Sequence, residues 1–444
     1  MQRGREDSAP SRNPQNHLHA TTLRACYTPR VEKYCEKSIA QKGMLMQFDP
    51  LSPEFTRNPY PIYDALRSTH PIFYSDDLNL WFMSAYDDVS AMLRDRRLGR
   101  SIEHIMSRDE LGLPPKNLKY AAFNKLSEHS MFDKEPPDHT RLRALVHKVF
   151  TPRRVENLRI QIQAIADGLL DQAQPHGQMD LLEDFAVPLP VTVIAALLGI
   201  PETDRHLLRP WSRDIVAMYE LNHTPETAAR AIQAASDFSD YLRTLARQRK
   251  RDPQDDLISA LATVEEAGDV LTEDELISTC VLLLNAGHEA TVNVIGNGMW
   301  ALFQNPDQLR LLRDHPETTK TAVEEMMRYD TPLQLFRRWV LEDMDYKGFQ
   351  FKLGQEIALL FGAANRDPQR FDQPTHLNIT RVDNPHISFS LGIHYCIGAP
   401  LARLELQVAI STLMRRLPNM RLSSEPEYRD GYVIRGLKNL MVEF

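Results

Sequence analysis

Residues 389–403 read Phe-Ser-Leu-Gly-Ile-His-Tyr-Cys-Ile-Gly-Ala-Pro-Leu-Ala-Arg, and this stretch decides how the whole chain is read. Cys396 sits between Gly392 and Gly398, and Pro400 with the pattern LARLELQVAISTLMRRL marks a helix starting just past it. Glycine permits positive φ and the close approach of a bulky group. A helix N-terminus offers free N–H groups and partial positive charge, which stabilise a thiolate and would tune any metal it holds. On chemistry alone a buried structural thiol reads equally well.

Working outward, the other cysteines narrow the options. Only four occur in 444 residues, Cys26, Cys35, Cys280 and Cys396, and no CxxC pair is present. Zinc-ribbon and iron–sulfur spacings are therefore missing, and a disulfide framework is not indicated, which fits a reducing cytoplasm. A formal net charge of −8 argues against a simple basic nucleic-acid binder. Residues 1–43 are polar and proline-spotted, without a secretory pattern, and read as a disordered extension before a folded part beginning near Met44 or Met46. Cys280–Leu284, the longest apolar run this reading finds in the body, is too short to span a bilayer.

The rest of the chain is mainly helical with small β segments. A short helix over Ile62–Thr69 precedes β runs at Ile72–Tyr74 and Leu80–Ser84, and residues 99–137 read as a long loop with broken helical pieces. VENLRIQIQAIADGLLDQA and AIQAASDFSDYLRTLARQRKR carry helical spacing. Thr272-Glu-Asp-Glu275 is a capping box that opens an apolar helix reaching Phe303 and closed by Asn305-Pro306. At 1.5 Å per residue it runs roughly 45–50 Å. Asn285, Gly287, His288, Glu289, Asn293 and Asn297 crowd its middle, as in a helix that lines something. Further on, MDYKGFQF reads as a hairpin about Lys347-Gly348, and IALLFGAANRDP as a strand running into a turn.

Phe389, Gly392, Cys396 and Gly398 match every fixed position of Phe-x-x-Gly-x-x-x-Cys-x-Gly. The stretch thus resembles the cysteine-ligand loop of the cytochrome P450 family; His394 and Leu401-Ala402-Arg403 agree with its bacterial members, while Ser390 stands where glycine is usual. The likeness runs from about Met46 to the end. It implies one cytochrome P450 domain over residues 44–444, mainly α with small β-sheets, with haem b (iron protoporphyrin IX) between the long central helix and the cysteine loop with its helix. Cys396 would be the axial thiolate on the iron, with Phe389 and Gly392 beside the cofactor. The haem propionates would be held by His139 and Arg143 of DHTRLR, Arg338 of LFRRWVLED, and His394; Arg337 competes with Arg338. Glu325-Met-Met-Arg328 resembles the family's Glu-x-x-Arg ion pair, completed by His386 or Arg381.

On the long helix, Asn285-Ala-Gly-His-Glu-Ala-Thr291 is similar to the family's oxygen-binding segment, Ala-Gly-x-(Asp/Glu)-Thr. Ala286 and Gly287 would leave room for O2, and Glu289 would relay protons. The alcohol's position holds Ala290, with Thr291 one residue later, so either a helix bulge brings Thr291 in or water and a substrate hydroxyl replace it. Leu282, Asn285, Ala290, Leu333, Leu335 and Phe336 would line the substrate pocket, and the loop from Ser101 to Met131 would form its lid. The resemblance implies a cytoplasmic, monomeric haem-thiolate monooxygenase with no membrane span. It would insert one atom of O2 into an apolar or amphipathic organic substrate by hydroxylation or epoxidation. Electrons would come from a separate ferredoxin or flavodoxin with its reductase, docking near the basic cluster His147–Arg154. Two alternatives stay open: a peroxide-driven hydroxylase, which Glu289 argues against, and a haem-binding non-catalytic member, which Ala290 favours.

Overall fold

The computed structural model describes residues 48–220 and 223–444. The expectation for residues 1–43, its boundary at Met44, and Cys26 and Cys35 lie outside them. The described residues fall into two compact units: 103–116, and 48–102 together with 117–444. Within 103–116, Glu103 pairs with Arg108 at 3.0 Å and with Lys116 at 2.8 Å.

The larger unit is mainly helical. Its largest sheet has five strands. β1 (Ile72–Ser75) and β2 (Leu80–Met83) form an antiparallel hairpin, and β3 is the short Leu98–Gly99. β4 (Leu335–Val340) and β5 (Glu356–Leu360) complete the order β1-β2-β5-β4-β3, with β5 parallel to β2 and antiparallel to β4. Five helices matter for the site: α1 (Asp138–Val149), α2 (Pro188–Leu198), α3 (Glu273–Gln304), α4 (Thr319–Tyr329) and α5 (Ala399–Arg416).

The long helix α3 starts as its capping box requires. Thr272 Oγ1 accepts from Glu275 N at 3.3 Å, and Glu275 Oε2 accepts from Thr272 N at 2.8 Å. Three acidic residues in the first turn complement the helix dipole. Most of its length is buried, and its glycines let neighbours close in. A Cβ on Gly298 would lie 2.7 Å from Met326 of α4, and one on Gly296 would lie 2.8 Å from Leu182. The hairpin about Lys347-Gly348 is present, pairing Met344–Tyr346 with Phe349–Phe351; both turn residues have positive φ, as a two-residue turn of this hand needs.

Three expectations are corrected. IALLFGAANRDP does not pass from strand to plain turn: after β5 a helical turn, Phe361–Ala364, follows. It is wholly buried, so its backbone groups must be satisfied locally, and Gly362 leaves no room for a Cβ against Gln334. VENLRIQIQAIADGLLDQA breaks at Asn157-Leu158 into Pro152–Glu156 and Arg159–Ala173. Finally, Leu181–Leu198 is a longer apolar stretch than Cys280–Leu284 and meets the length of a membrane span, but 67% of it is buried inside the fold, as a core helix would be.

Candidate active site

The cysteine loop is built around its glycines and one exception. Gly392 has φ +70, and a Cβ there would strike the Leu93 carbonyl at 2.3 Å. Ser390 also takes positive φ, +60, and its buried Oγ has no hydrogen-bond partner. Glycine is the residue that adopts this conformation freely, so the departure from the family pattern falls where the backbone wants glycine. The loop closes on itself through Cys396 N donating to the Phe389 carbonyl at 2.9 Å. Burial pushes the Cys396 thiol up; the Gly398 and Ala399 N–H groups and the Arg143 and Arg403 charges pull it back. Those two N–H groups belong to the N-cap and the first residue of α5, as a helix-mouth thiol requires.

The four proposed propionate partners come together beside this loop. The His139 and His394 rings lie 4.5 Å apart, and Arg143 Nη2 donates to the Tyr395 carbonyl at 2.6 Å. His139, in α1, is depressed to about 4 by burial and by Arg143. His394 is depressed to about 2 by burial and by the charges of Arg338, His139, Arg100 and Arg143. Arg338, buried on β4, is lowered to about 9 by burial and then by Arg100. Its neighbour Arg337 points the other way along the strand and meets Glu356 at 3.3 Å, which separates the two competing arginines. The sequence reading missed Arg100. Its guanidinium lies 4.4 Å over the Phe132 ring and 4.6 Å over Phe336, and pairs with Asp133 at 3.2 Å.

This cluster carries its own test of fit. Arg338 Nη2, His394 Nε2 and Arg100 Nε are buried without hydrogen-bond partners. Buried polar nitrogens are normally satisfied. Three orphans among cationic or basic side chains match a group carrying two carboxylates, as haem does.

Across the site, α3 is an uninterrupted α-helix, so no bulge moves Thr291. Thr291 is buried, and its hydroxyl donates to the Gly287 carbonyl at 2.9 Å. Ala286 and Ala290, one turn apart, are exposed in the middle of this otherwise buried helix, so the stripe they share faces open space. Gly287 differs from the role expected of it: a Cβ there would lie 3.0 Å from Ile194 of α2, so its missing side chain makes room for that residue. Asn285 is buried with Oδ1 unpartnered, and Leu282 is half-buried against the main core. Leu335, expected in the pocket lining, is buried in the core cluster of Phe55, Tyr60, Tyr63 and Leu360. Phe336 points to the opposite face, between Phe132 and Phe361, with Arg338 4.8 Å over its ring.

Glu289 is not free. Arg429 Nη2 donates to its Oε1 at 2.7 Å, and Asn293 Nδ2 reaches the same oxygen at 3.2 Å. Burial pushes the carboxyl up, but the Arg429 charge, with the hydrogen bonds from Arg429 and Asn293, outweighs this and holds it below its ordinary range.

Two braces lock the segment behind the cysteine. Glu325 and Arg328 of α4 are fully buried and joined by two 2.8 Å bonds; Arg328 also donates to the carbonyls of Asn365 and Pro374 at 2.9 Å. Arg381 completes this group, 3.1 Å from Glu325. His386 does not: it joins Glu324 at 3.0 Å, as does Arg403 at 2.7 Å, and Arg403 lies 4.5 Å over the Phe389 ring. In the basic cluster, Lys148 is paired with Glu266 at 2.7 Å and Arg154 with Asp255 at 3.4 Å.

Residues 101–422 match the family model described as Cytochrome P450. The chain belongs to the cytochrome P450 family. It is 40% identical over 408 residues to the polyketide biosynthesis cytochrome P450 PksS of Bacillus subtilis (strain 168), covering 89% of this chain and 98% of that one. It is 38% identical over 403 residues to the vitamin D(3) 25-hydroxylase of Pseudonocardia autotrophica, covering 89% and 96%. Among solved structures it is similar to P450BioI in complex with an acyl carrier protein bearing hexadec-9Z-enoic acid. There the TM-score is 0.83 at 40% identity, over 88% of this chain and all of that one. The bacterial-type cytochrome P450 fold follows, and with it haem b as cofactor and monooxygenase activity that needs an organic substrate, O2 and a redox partner.

Proposed function

We propose that this cytochrome P450 hydroxylates or epoxidises an apolar or amphipathic substrate as a cytoplasmic monomer fed by a ferredoxin or flavodoxin. Residues 44–444 would act as one catalytic domain. Bound haem supplies the iron at which O2 is reduced and cleaved. The chain's own residues do the rest. Cys396 ligates the iron, with the Gly398 and Ala399 N–H groups directed at its sulfur. His139, Arg143, Arg338 and His394, joined by Arg100, hold the propionates. The observation that carries this reading is the set of buried, unpartnered nitrogens on Arg338, His394 and Arg100 beside the cysteine loop. The open stripe of Ala286 and Ala290 gives substrate and O2 their room.

Glu289 is the acid that moves protons toward the oxygen. Thr291 has placed its single hydroxyl proton on the Gly287 carbonyl, so water or a substrate hydroxyl fills the place left by Ala290. The acid at Glu289 favours the monooxygenase over a peroxide-driven hydroxylase. The test is spectroscopic first: the reduced carbon-monoxide complex should show the red-shifted thiolate band, kept in Cys280→Ala and lost in Cys396→Ala. Cys280 is a fair control, because burial pushes its thiol up to about 12. Glu289→Gln should then cut product per reducing equivalent within the ~10²–10⁴ range of lost acid–base help, while Thr291→Ala changes it little. Retention of the band in Cys396→Ala overturns the ligand assignment; full coupling in Glu289→Gln removes Glu289 from the mechanism.

A further inference from the structure

Glu289 is gripped by a segment with no sequence proximity to it. Residues 428–437 fold back as a narrow strap: Tyr428 bridges Leu437, and Arg429 N donates to the Gly436 carbonyl at 2.8 Å. The tip of the strap is pinned by one carboxylate. Glu220 accepts from three successive backbone N–H groups, Tyr432 at 2.8 Å, Val433 at 3.1 Å and Ile434 at 3.0 Å. So anchored, the strap delivers Arg429 to α3, where one nitrogen, Nη2, lies 2.7 Å from both Glu289 Oε1 and Asn293 Oδ1. The fit is tight: a Cβ on Gly436 would sit 1.9 Å from Asn293 Oδ1 and 2.8 Å from Arg429 Nη2. The Arg429 side chain is 42% exposed and that of Glu289 16%, so the guanidinium spans from solvent to the enclosed carboxylate.

We propose that Arg429 is the positioning residue for Glu289, fixing its rotamer and keeping it ionised until a proton is needed. The inference rests on the reading of Glu289 as the proton-moving acid. An arginine does not release its proton at working pH, so Arg429 cannot relay; it can only hold and set the basicity of the group that does. The charged groups facing Glu289 are few. Arg429 comes from the strap, and His288 Nε2, on its own helix, lies 3.7 Å from Oε2. Arg209 acts on His288 in turn, and His288 is held neutral by burial. Among these, Arg429 is the permanent positive charge in contact with the carboxylate.

The experiment uses the haem-loaded full chain. The Glu289 carboxyl is titrated by infrared difference spectroscopy without turnover, its band assigned by loss in Glu289→Gln, and product and peroxide per reducing equivalent are measured against pH. Arg429→Gln should move the infrared midpoint up by at least one pH unit and carry the coupling profile with it. Arg429→Lys, which keeps the charge, should move both by less than half a unit. If Arg429→Gln lowers the melting temperature yet leaves midpoint and profile in place, Arg429 is structural and the proposal fails. If Glu289→Gln stays fully coupled, the reading of Glu289 fails first, and the proposal falls with it whatever the infrared midpoint does.

Discussion

Ser390 should be a self-inflicted weakness of the cysteine loop, and two substitutions can measure its parts. The residue sits at φ +60 with a buried hydroxyl that has no partner. Holding a non-glycine residue in the left-handed region costs about 1–2 kcal/mol, and an unsatisfied buried hydroxyl costs about 1 kcal/mol at the low end of its range. Glycine would remove both, against an extra unfolded-state entropy of about 0.5–1 kcal/mol. Ser390→Gly should therefore stabilise by about 1–2 kcal/mol, while Ser390→Ala, which keeps the strain and loses only the hydroxyl, should gain about half of that. For a domain of this size the unfolding entropy is about 0.8 kcal/mol/K, so the glycine variant should melt ~1–2 °C higher. Thermal unfolding by circular dichroism, at matched haem occupancy, reads both. A glycine variant that melts lower than the parent, or an alanine variant that gains as much as glycine, would refute the backbone argument.

Arg338→Leu should weaken haem retention by about 10–100-fold, the worth of a charge-assisted pair, while Arg337→Leu does not; transfer of haem to an acceptor globin checks this. Glu324, held down to about 2 against the cost of its burial by His386 and Arg403, contributes stability that is complete above its ordinary pKa and lost as the pH falls from about 4.5 toward 2. Glu324→Gln should cost about 2 kcal/mol at neutral pH after allowance for partial exposure, and that penalty should shrink through this acid window in denaturant titrations. Glu220→Ala strips the charged acceptor from three successive N–H groups and should destabilise by about 2–3 kcal/mol, with Glu220→Gln recovering part of it in the same assay. Removing residues 1–43 should leave haem content and melting temperature unchanged, because a polar segment with few apolar residues cannot offset its ordering entropy; a drop of several degrees would contradict this.

What was legible in the sequence is what is local along the chain. The capping box at Thr272, the helix after Cys396 and the two-residue turn at Lys347-Gly348 each depend on residues within a few positions of one another. The family motif is similarly contiguous, so it delivered the cysteine loop and the Glu325–Arg328 pair. Illegible were the partners that tertiary folding brings from far away. Arg429 lies in a strap with no pattern of its own, yet it contacts Glu289 of α3. Arg100 follows a two-residue strand that no periodicity marks, but the pairing of Leu98 with Val340 brings that strand to β4, beside Arg338.

The division between Glu324 and Glu325 shows why adjacency in sequence is a poor guide once a helix has formed. The two carboxylates are turned about 100° apart. Glu325 faces inward to Arg328 and Arg381, and Glu324 faces the cysteine loop through His386 and Arg403. His386 and Arg381, five residues apart, could not be assigned from the motif because either side chain could reach a glutamate on α4; the helix face decides which glutamate each one meets. Strand alternation does the same for Arg337 and Arg338. It sends one to Glu356 and leaves the other buried with an unpartnered nitrogen. At each of these positions the sequence supplied the right chemical types, and the choice between neighbours was made by the turn of a helix or the pleat of a strand.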